Sequence, residues 1–198
     1  MLKIIIWILA LISLFVIAIL LLLYFGQEKL IFHPEELSKD HKYTFQNKFE
    51  EYFIKVDNKT ELNALHFKAD SSKGLVFYLH GNAGSLDSWG DVADLYINLN
   101  YDVFILDYRG YGKSTGTIKS EIQLRKDVQK AYNFAKKDYD EDKIVIIGYS
   151  IGTGPAAKLA AKNNPGILIL KAPYYNLTDL VKHYYSFIPT FILKYKFR

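Results

Sequence analysis

The chain has 198 residues, the size of one ordinary domain, and half of them are hydrophobic, which excludes a disordered protein. The formal net charge of +4 is too small to indicate a nucleic-acid-binding protein, and the lysines are scattered among acidic residues rather than clustered in runs. Because the chain contains no Cys, a disulfide scaffold, a thiolate zinc site and a cysteine nucleophile are all excluded.

An apolar segment near the N-terminus is the first predicted element. It covers residues 4–25, in which Ser13 is the one residue that is neither apolar nor aromatic. As a helix it would be about 33 Å long, enough to cross a hydrocarbon core of about 30 Å. Trp7 and Tyr24 stand near its two ends, where the membrane interfaces would lie. The segment therefore predicts a transmembrane helix.

Two alternatives to a membrane anchor stay open, a cleaved signal peptide and a buried core helix. A signal peptide usually has a shorter apolar region followed by small residues at a cleavage site, which residues 20–25 do not offer. We predict a single-pass anchor over residues 1–25 and one domain over residues 26–198. Lys3 precedes the anchor, and lysines that belong to a large domain count little towards orientation, so we favour an extracytoplasmic domain.

A hairpin and four apolar runs follow the anchor. Residues 49–56 and 62–68 alternate apolar and polar side chains around a turn at residues 57–60, which is typical of a β-hairpin. Four later runs are continuously apolar, as are strands of a parallel sheet covered on both faces: residues 74–79, 103–106, 144–147 and 167–170.

Helical patterns lie between these runs, over residues 85–98, 120–137 and 152–162. A hairpin followed by alternating strands and helices indicates an α/β fold, with a mostly parallel sheet led by an antiparallel hairpin. In such sheets, sites lie at the carboxyl ends of the strands. The turns after the apolar runs are therefore the places where catalytic residues are expected.

The turn from Gly148 to Gly152 has the pattern G-x-S-x-G between a predicted strand and helix, which is the context of a nucleophile elbow. A sharp turn there would expose the Ser150 hydroxyl, and glycines would let neighbouring backbone pass close by. The helix N-terminus presents free N–H groups to developing negative charge, so we expect the Ile151 N–H to be one oxyanion donor. The alternative is a glycine-rich turn whose serine only caps the helix.

The turn HGNAG, residues 80–84, follows the first apolar run. A hydrolase with such an elbow needs a second oxyanion donor from an earlier strand–helix loop, typically after an H-G pair. The Asn82 N–H is the better candidate and the Ala83 N–H the second. His80 precedes the serine and stands at a strand end, so we expect it to hold the loop in shape rather than to act as the base.

Two glycine-rich patterns resemble nucleotide-binding motifs, but each departs from the motif at a position that the motif requires. Residues 112–114 read GKS, but a P-loop would need Gly where Asp107 stands. Residues 152–157 fit G-x-G-x-x-A, but they start beyond the elbow glycine, and the next strand ends in Lys171 rather than an acid. We expect no cofactor and no metal ion.

Three motifs occur in order along the chain: LHGNAG, DYRGYGKSTGT and GYSIGTGPAA. With them, the chain from about residue 24 onward resembles the α/β-hydrolase fold, and more narrowly its membrane-anchored Bem46-like and serine-aminopeptidase-like branch. LIFHP at residues 30–34 and APYYNL at residues 172–177 also look like that branch. The resemblance implies a serine hydrolase and is specific for the superfamily rather than for a substrate.

The resemblance also implies a triad whose acid and histidine lie on loops after two further strands, which the sequence does not contain. Residues 177–198 predict two short helices that look like the beginning of a lid. We therefore expect a hydrolase fold that is incomplete at its C-terminus, with residues 167–170 as an edge strand. Asp179 and His183 follow Ser150 one helical turn apart and are candidate substitutes. The alternative is a lid helix without a catalytic role.

These observations predict a membrane-anchored serine hydrolase that acts on an acyl ester, a thioester or a peptide bond. Ser150 would form an acyl-enzyme while the Ile151 and Asn82 N–H groups hold the oxyanion. The expected partners are the lipid bilayer and a small acyl or peptide substrate. The alternative is a non-catalytic, truncated hydrolase homologue that binds a membrane or a partner protein.

Overall fold

The computed structural model describes residues 1–197, and its first element is a long apolar helix. Helix α1 spans Leu2–Ile31 and extends beyond the predicted segment 4–25. Its most apolar stretch has a mean hydropathy of 3.3 and none of that stretch is buried, so by length and composition the helix could cross a membrane. Gln27 is buried near its end, so its last turns belong to the folded domain as well as to the helix.

Eight strands form two sheets. In chain order they are β1 (His33–Pro34), β2 (Phe49–Lys55), β3 (Glu61–Phe67), β4 (Leu75–Leu79), β5 (Ala83–Gly84), β6 (Asp102–Leu106), β7 (Ile144–Tyr149) and β8 (Ile167–Lys171). Strands β1 and β5 pair in parallel as a small separate sheet. The other six form one sheet in the order β2-β3-β6-β4-β7-β8. The hairpin pairing β2–β3 and the pairing β3–β6 are antiparallel, and the remaining three are parallel. The predicted sheet is thus confirmed.

Five shorter α-helices follow in the described chain: α2 (Leu86–Trp89), α3 (Ala93–Ile97), α4 (Glu121–Ala135), α5 (Thr153–Ala160) and α6 (Leu177–Tyr184). The single helix predicted over residues 85–98 is wrong, because a 3₁₀ turn at Gly90–Val92 separates α2 from α3. At that turn Gly90 packs against the ring of Phe45, where a Cβ atom would stand 2.2 Å from the ring. Glycine also disfavours a helix interior. Helix α4 begins as predicted, with the Ser120 hydroxyl accepting the Gln123 N–H at 3.1 Å.

The central strands are covered on both faces, as their unbroken apolar runs predict. Leu75, Phe77 and Leu79 of β4 pack in the cluster that includes α4 and α5, whereas Val76 and Tyr78 pack in the cluster on the other face. Strand β8 differs, because Ile167 to Leu170 are each 37–51% exposed. The predicted edge strand is therefore present in the described chain.

Residues 174–197, which we call the lid, follow β8. After α6, the predicted second helix is reduced to a 3₁₀ turn at Thr190–Ile192. The prediction fails because the described residues beyond that turn form no helix, and Tyr195 and Phe197 bury their aromatic rings. Tyr195 and Phe197 lie edge-on to Phe32 with ring centroids 5.3 and 6.4 Å away, so the end of the lid packs beside the end of α1.

Candidate active site

Ser150 stands directly after β7 in a backbone conformation that side chains rarely adopt. Its φ angle is +50°, and it begins a 3₁₀ turn, Ser150–Gly152, that leads into α5. A non-glycine residue with positive φ costs energy, and such residues concentrate at functional sites. The strand, sharp turn and helix expected of a nucleophile elbow are thus all present around this residue.

The two glycines of the motif are required by close backbone contacts. A Cβ atom on Gly148 would lie 2.6 Å from the Gly152 carbonyl oxygen and 2.7 Å from the Ala156 Cβ. A Cβ atom on Gly152 would lie 2.3 Å from the Leu79 carbonyl oxygen, at the end of β4. Glycine is therefore needed at both positions for the turn to pack against its own helix and the neighbouring strand.

A cavity of about 520 Å³ opens beside Ser150. One wall is a face of α1, with Leu23, Gln27, Leu30 and Ile31, and the opposite wall is a face of the lid helix α6. Leu177, Leu180, Val181 and Tyr184 form that second face at the spacing of helical turns. No Asp, Glu, Lys, Arg or His within residues 1–197 lines the cavity. An apolar volume of this size fits the usual range for small-molecule sites.

Asn82 and Ile151 line the same cavity as Ser150. The Asn82 N–H shares its peptide with the Gly81 carbonyl, which lies 2.7 Å from Nδ1 of His80, so the buried His80 ring fixes the orientation of that peptide. The Ile151 N–H belongs to the first turn after β7, where N–H groups have no helical acceptor. The structure therefore brings Asn82 and Ile151, the residues expected to supply the oxyanion donors, to the same cavity as Ser150.

His80 is fully buried beneath the Asn82 loop, so it has no access to the cavity. Its ring lies against the Tyr108 ring, with centroids 4.3 Å apart, and its Nε2 stands 3.4 Å from Oδ1 of Asp107, which is also fully buried. Burial raises the pKa of Asp107, and the His80 ring partly offsets that effect. The position fits the role expected from the sequence, that of a support for the loop.

Asp179 and His183 are not brought to Ser150. The Asp179 carboxylate accepts the Asn176 side-chain N–H at 2.8 Å, and the Asp179 N–H donates to the Asn176 side chain, so the acid completes the cap of α6. His183 is exposed, and its ring packs edge-on against Tyr184. Both residues lie on the faces of α6 turned away from the cavity. The described residues contain no hydrogen bond between the two.

The sequence did not predict that the N-terminal apolar helix α1 contributes to the site. The Gln27 side chain donates to the Ile192 carbonyl at 2.8 Å and accepts the Lys194 N–H at 2.9 Å. The Asn82 side chain donates to the Ile31 carbonyl at the end of α1, at 3.2 Å. The one available signal was the polar pair Gln27-Glu28 two residues after the apolar segment ends, since a buried amide such as that of Gln27 needs partners.

Comparison with known proteins was consistent with this geometry. Residues 70–196 match the family described as serine aminopeptidase, S33. Protein bem46 of Schizosaccharomyces pombe is 34% identical over 145 residues, which cover 69% of this chain and 48% of that protein. The lysophosphatidylserine lipase ABHD12 of Macaca fascicularis is 32% identical over 133 residues, which cover 61% of this chain and 33% of the lipase. The chain thus spans about half or less of the length of these curated relatives.

Solved structures show the same fold. An α/β-hydrolase from Vibrio vulnificus has a TM-score of 0.59 and 26% identity, and the match covers 69% of this chain and 49% of that structure. The Pyrococcus furiosus esterase Pf2001 has the same TM-score at 19% identity, with 82% of this chain and 64% of that structure covered. At that lower identity the likeness concerns the fold alone.

Proposed function

Because the chain belongs to the serine aminopeptidase S33 family of α/β-hydrolases, we propose that it forms the nucleophile-bearing part of a membrane-anchored serine hydrolase. The observation that carries this proposal is Ser150 at a φ angle of +50° on a G-x-S-x-G turn, facing an apolar cavity. Strained backbone of this kind persists where the surrounding structure enforces it, and here the close contacts of Gly148 and Gly152 do so.

In the proposed reaction the Ser150 Oγ attacks an acyl carbonyl. The bond from the carbonyl carbon to the leaving oxygen, sulfur or nitrogen breaks, and the leaving group departs with a proton. Water then hydrolyses the acyl-enzyme and releases the carboxylic acid. Backbone N–H groups of Ile151 and Asn82 stabilise the oxyanion in both steps, an effect worth about 3–4 kcal/mol per donor in comparable enzymes.

None of the described residues that line the cavity could act as the general base. A serine hydroxyl is a weak nucleophile unless an adjacent base accepts its proton. We propose that activity requires a histidine and an orienting acid in addition to the described residues that line the cavity. The apolar cavity and the similarity to a lysophosphatidylserine lipase favour an acyl ester over a peptide as the substrate.

Labelling by a fluorophosphonate tests the nucleophile. The full chain in detergent micelles or host membranes should become labelled at Ser150, and added imidazole should accelerate labelling by acting as an external base. Ser150→Ala should remove the label, whereas the control Ser186→Ala, at an exposed serine of the lid, should leave it unchanged. Absence of Ser150-dependent labelling with and without imidazole would reject the proposal.

A non-catalytic protein that binds a membrane or a partner is the second candidate function. The observation that favours it is the lack of a histidine or carboxylate among the described residues that line the cavity. This candidate predicts an inert Ser150, so the imidazole experiment separates the two functions directly.

A further inference from the structure

We infer that the cavity beside Ser150 is a binding site for the acyl chain of a membrane lipid, which enters it sideways from the bilayer between α1 and α6. The inference rests on the proposed function for the membrane position of α1. It does not depend on catalysis, because binding of the chain requires no reaction at Ser150. It differs from a site for a soluble ester, which would be reached from water.

The wall contributed by α1 connects the cavity to the membrane-spanning segment. Leu23 lies inside the apolar stretch 4–25, and Ile31 lies at the end of the helix beside the Asn82 loop. At 1.5 Å per residue the two are about 12 Å apart along the helix axis. The same cavity that contains Ser150 therefore reaches a depth that the helix places within the bilayer.

The chemistry of the lining suits a hydrocarbon chain. Gln27 is the one polar side chain that α1 contributes, and its amide is already bonded to the lid, at the Ile192 carbonyl and the Lys194 N–H. The opposite wall offers the leucines, valine and tyrosine of α6. A chain of methylene groups would gain the burial of its apolar surface without leaving a polar group of the protein unpaired.

The outer surface of the lid is also suited to the membrane interface. Tyr175, Phe187 and Phe191 are each 81–88% exposed, although aromatic rings normally avoid water. Phe191 belongs to the 3₁₀ turn whose Ile192 carbonyl is bound by Gln27 of α1. Exposed aromatic patches beside the end of an apolar helix are typical of contact with lipid headgroups and upper acyl chains. The lid is thus held at the level where the chain would enter.

Photocrosslinking in lipid nanodiscs tests the inference. The full chain carrying Ser150→Ala is reconstituted with a phospholipid that bears a diazirine in its acyl chain, and the crosslinked residues are identified by mass spectrometry. Crosslinks are expected on α6 residues that face the cavity, such as Leu180 and Val181, in addition to the lipid-exposed surface of α1. Filling the entrance with Leu23→Trp should reduce the α6 crosslinks roughly tenfold.

Matched controls separate blocking from unfolding. Leu22→Trp changes the neighbouring residue of the same helix, which is 74% exposed, and should leave the α6 crosslinks unchanged. Val181→Trp fills the cavity from the lid side and should act as Leu23→Trp does, whereas Ser186→Trp at an exposed position should not. Crosslinks confined to the outer surface of α1, or equal loss in the lining and control variants, would overturn the inference.

Two further outcomes keep the inference distinct from the proposed function and from a water-reached site. Strong α6 crosslinks in a protein whose Ser150 resists the fluorophosphonate would support the lipid site and reject the hydrolase. A short-chain soluble ester that removes the α6 crosslinks at the concentration of the lipid probe would overturn entry from the bilayer.

Discussion

At the scale of single residues, the nucleophile elbow depends on glycines, because rigid neighbouring atoms occupy the space that a side chain would need. Around Gly148 these are the Gly152 carbonyl oxygen and the Ala156 Cβ, which cannot rotate away as the end of a long side chain could. The backbone of Ser150 can hold its positive φ only while this packing is intact.

We expect Gly148→Ala to lower the free energy of unfolding by about 1–3 kcal/mol, because the added methyl group overlaps these atoms. Urea unfolding in mild detergent, followed by tryptophan fluorescence, measures the change. Gly26→Ala is the matched control, since no heavy atom lies within 4 Å of its Cβ position and alanine favours a helix. Equal effects of the two substitutions would contradict the packing argument.

His66 on β3 makes stability depend on pH. The residue is 5% exposed, and burial, aided by the charge of Lys68, lowers the pKa of its imidazole from 6.5 to about 4. The unfolded chain therefore binds a proton between pH 6.5 and 4 that the folded chain does not bind. The resulting stability is present above pH 6.5 and is lost as the pH falls towards 4.

We expect this group to contribute about 3 kcal/mol to the loss of stability between pH 7 and 4. His66→Gln, which keeps a polar side chain near the Tyr139 hydroxyl, should flatten the profile by that amount. Urea unfolding at a series of pH values measures the slope. His33→Gln replaces an exposed histidine and serves as the control. An unchanged slope in His66→Gln would show that another group carries the pH dependence.

At the scale of elements, the position of the lid depends on the last turns of α1. The Gln27 amide bonds both Ile192 and Lys194, and the Lys194 ammonium also forms an ion pair with Glu28 at 3.2 Å. The buried amide hydrogen bonds contribute more than this partly exposed ion pair, because removing one amide partner leaves the other unsatisfied. Gln27 is therefore the residue that holds the lid against the helix.

Gln27→Ala should loosen the lid without unfolding the sheet. We expect amide hydrogen exchange over residues 186–197 to accelerate roughly tenfold, the effect of losing about 1–3 kcal/mol of local stability. Strands β4 and β7 should keep their protection. Lys29→Ala, at an exposed position on the same helix, is the control. Acceleration spread evenly over the chain would indicate global destabilisation instead.

Regular elements were predictable where local pattern and tertiary packing agree. The hairpin, the central strands and α4 follow directly from alternation, apolar runs and a serine cap. The break between α2 and α3 at Gly90 was not predictable, since it depends on packing against the Phe45 ring, which is distant in sequence. The end of the lid is not helical for a similar reason, because Tyr195 and Phe197 gain more by packing on Phe32 than by continuing a short helix.

The candidate site also has a part that could be predicted from the sequence and a part that could not. Ser150, Ile151 and Asn82 stand in short motifs whose turn geometry is local, so the sequence placed all three at one strand-end edge. The hydrogen bond that attaches α1 to the Asn82 loop joins residues about fifty positions apart. Such a contact leaves no periodic pattern in the sequence, so it could not be predicted. Membership of the α/β-hydrolase superfamily and its bem46-like branch, expected from the motifs, is confirmed.

At the scale of the whole molecule, the six-stranded sheet has two edge strands, β2 and β8, which differ in how they are covered. Tyr52 of β2 packs against Phe134 of α4, whereas β8 has outer N–H and C=O groups that are unpaired in the described chain. Ile167 to Leu170 point alternately to both faces of the sheet, yet all four are exposed. A flat, apolar and unprotected edge strand is a template for pairing with another chain.

We therefore expect this chain to self-associate through β8 when it is purified alone in detergent. Sedimentation velocity should show a species larger than the monomer whose fraction rises with protein concentration, because two β8 edges can pair and bury both apolar rows. Ile169→Lys should shift the equilibrium towards the monomer, since pairing would bury a charge. Ile122→Lys is the control. It makes the same substitution at a residue of α4 that is 64% exposed and lies away from β8, so it should leave association unaffected. A chain that stays monomeric at all concentrations and unfolds in one cooperative transition would show that β8 is stable as an edge. The unprotected strand would then be a tolerated feature of the fold rather than an interface.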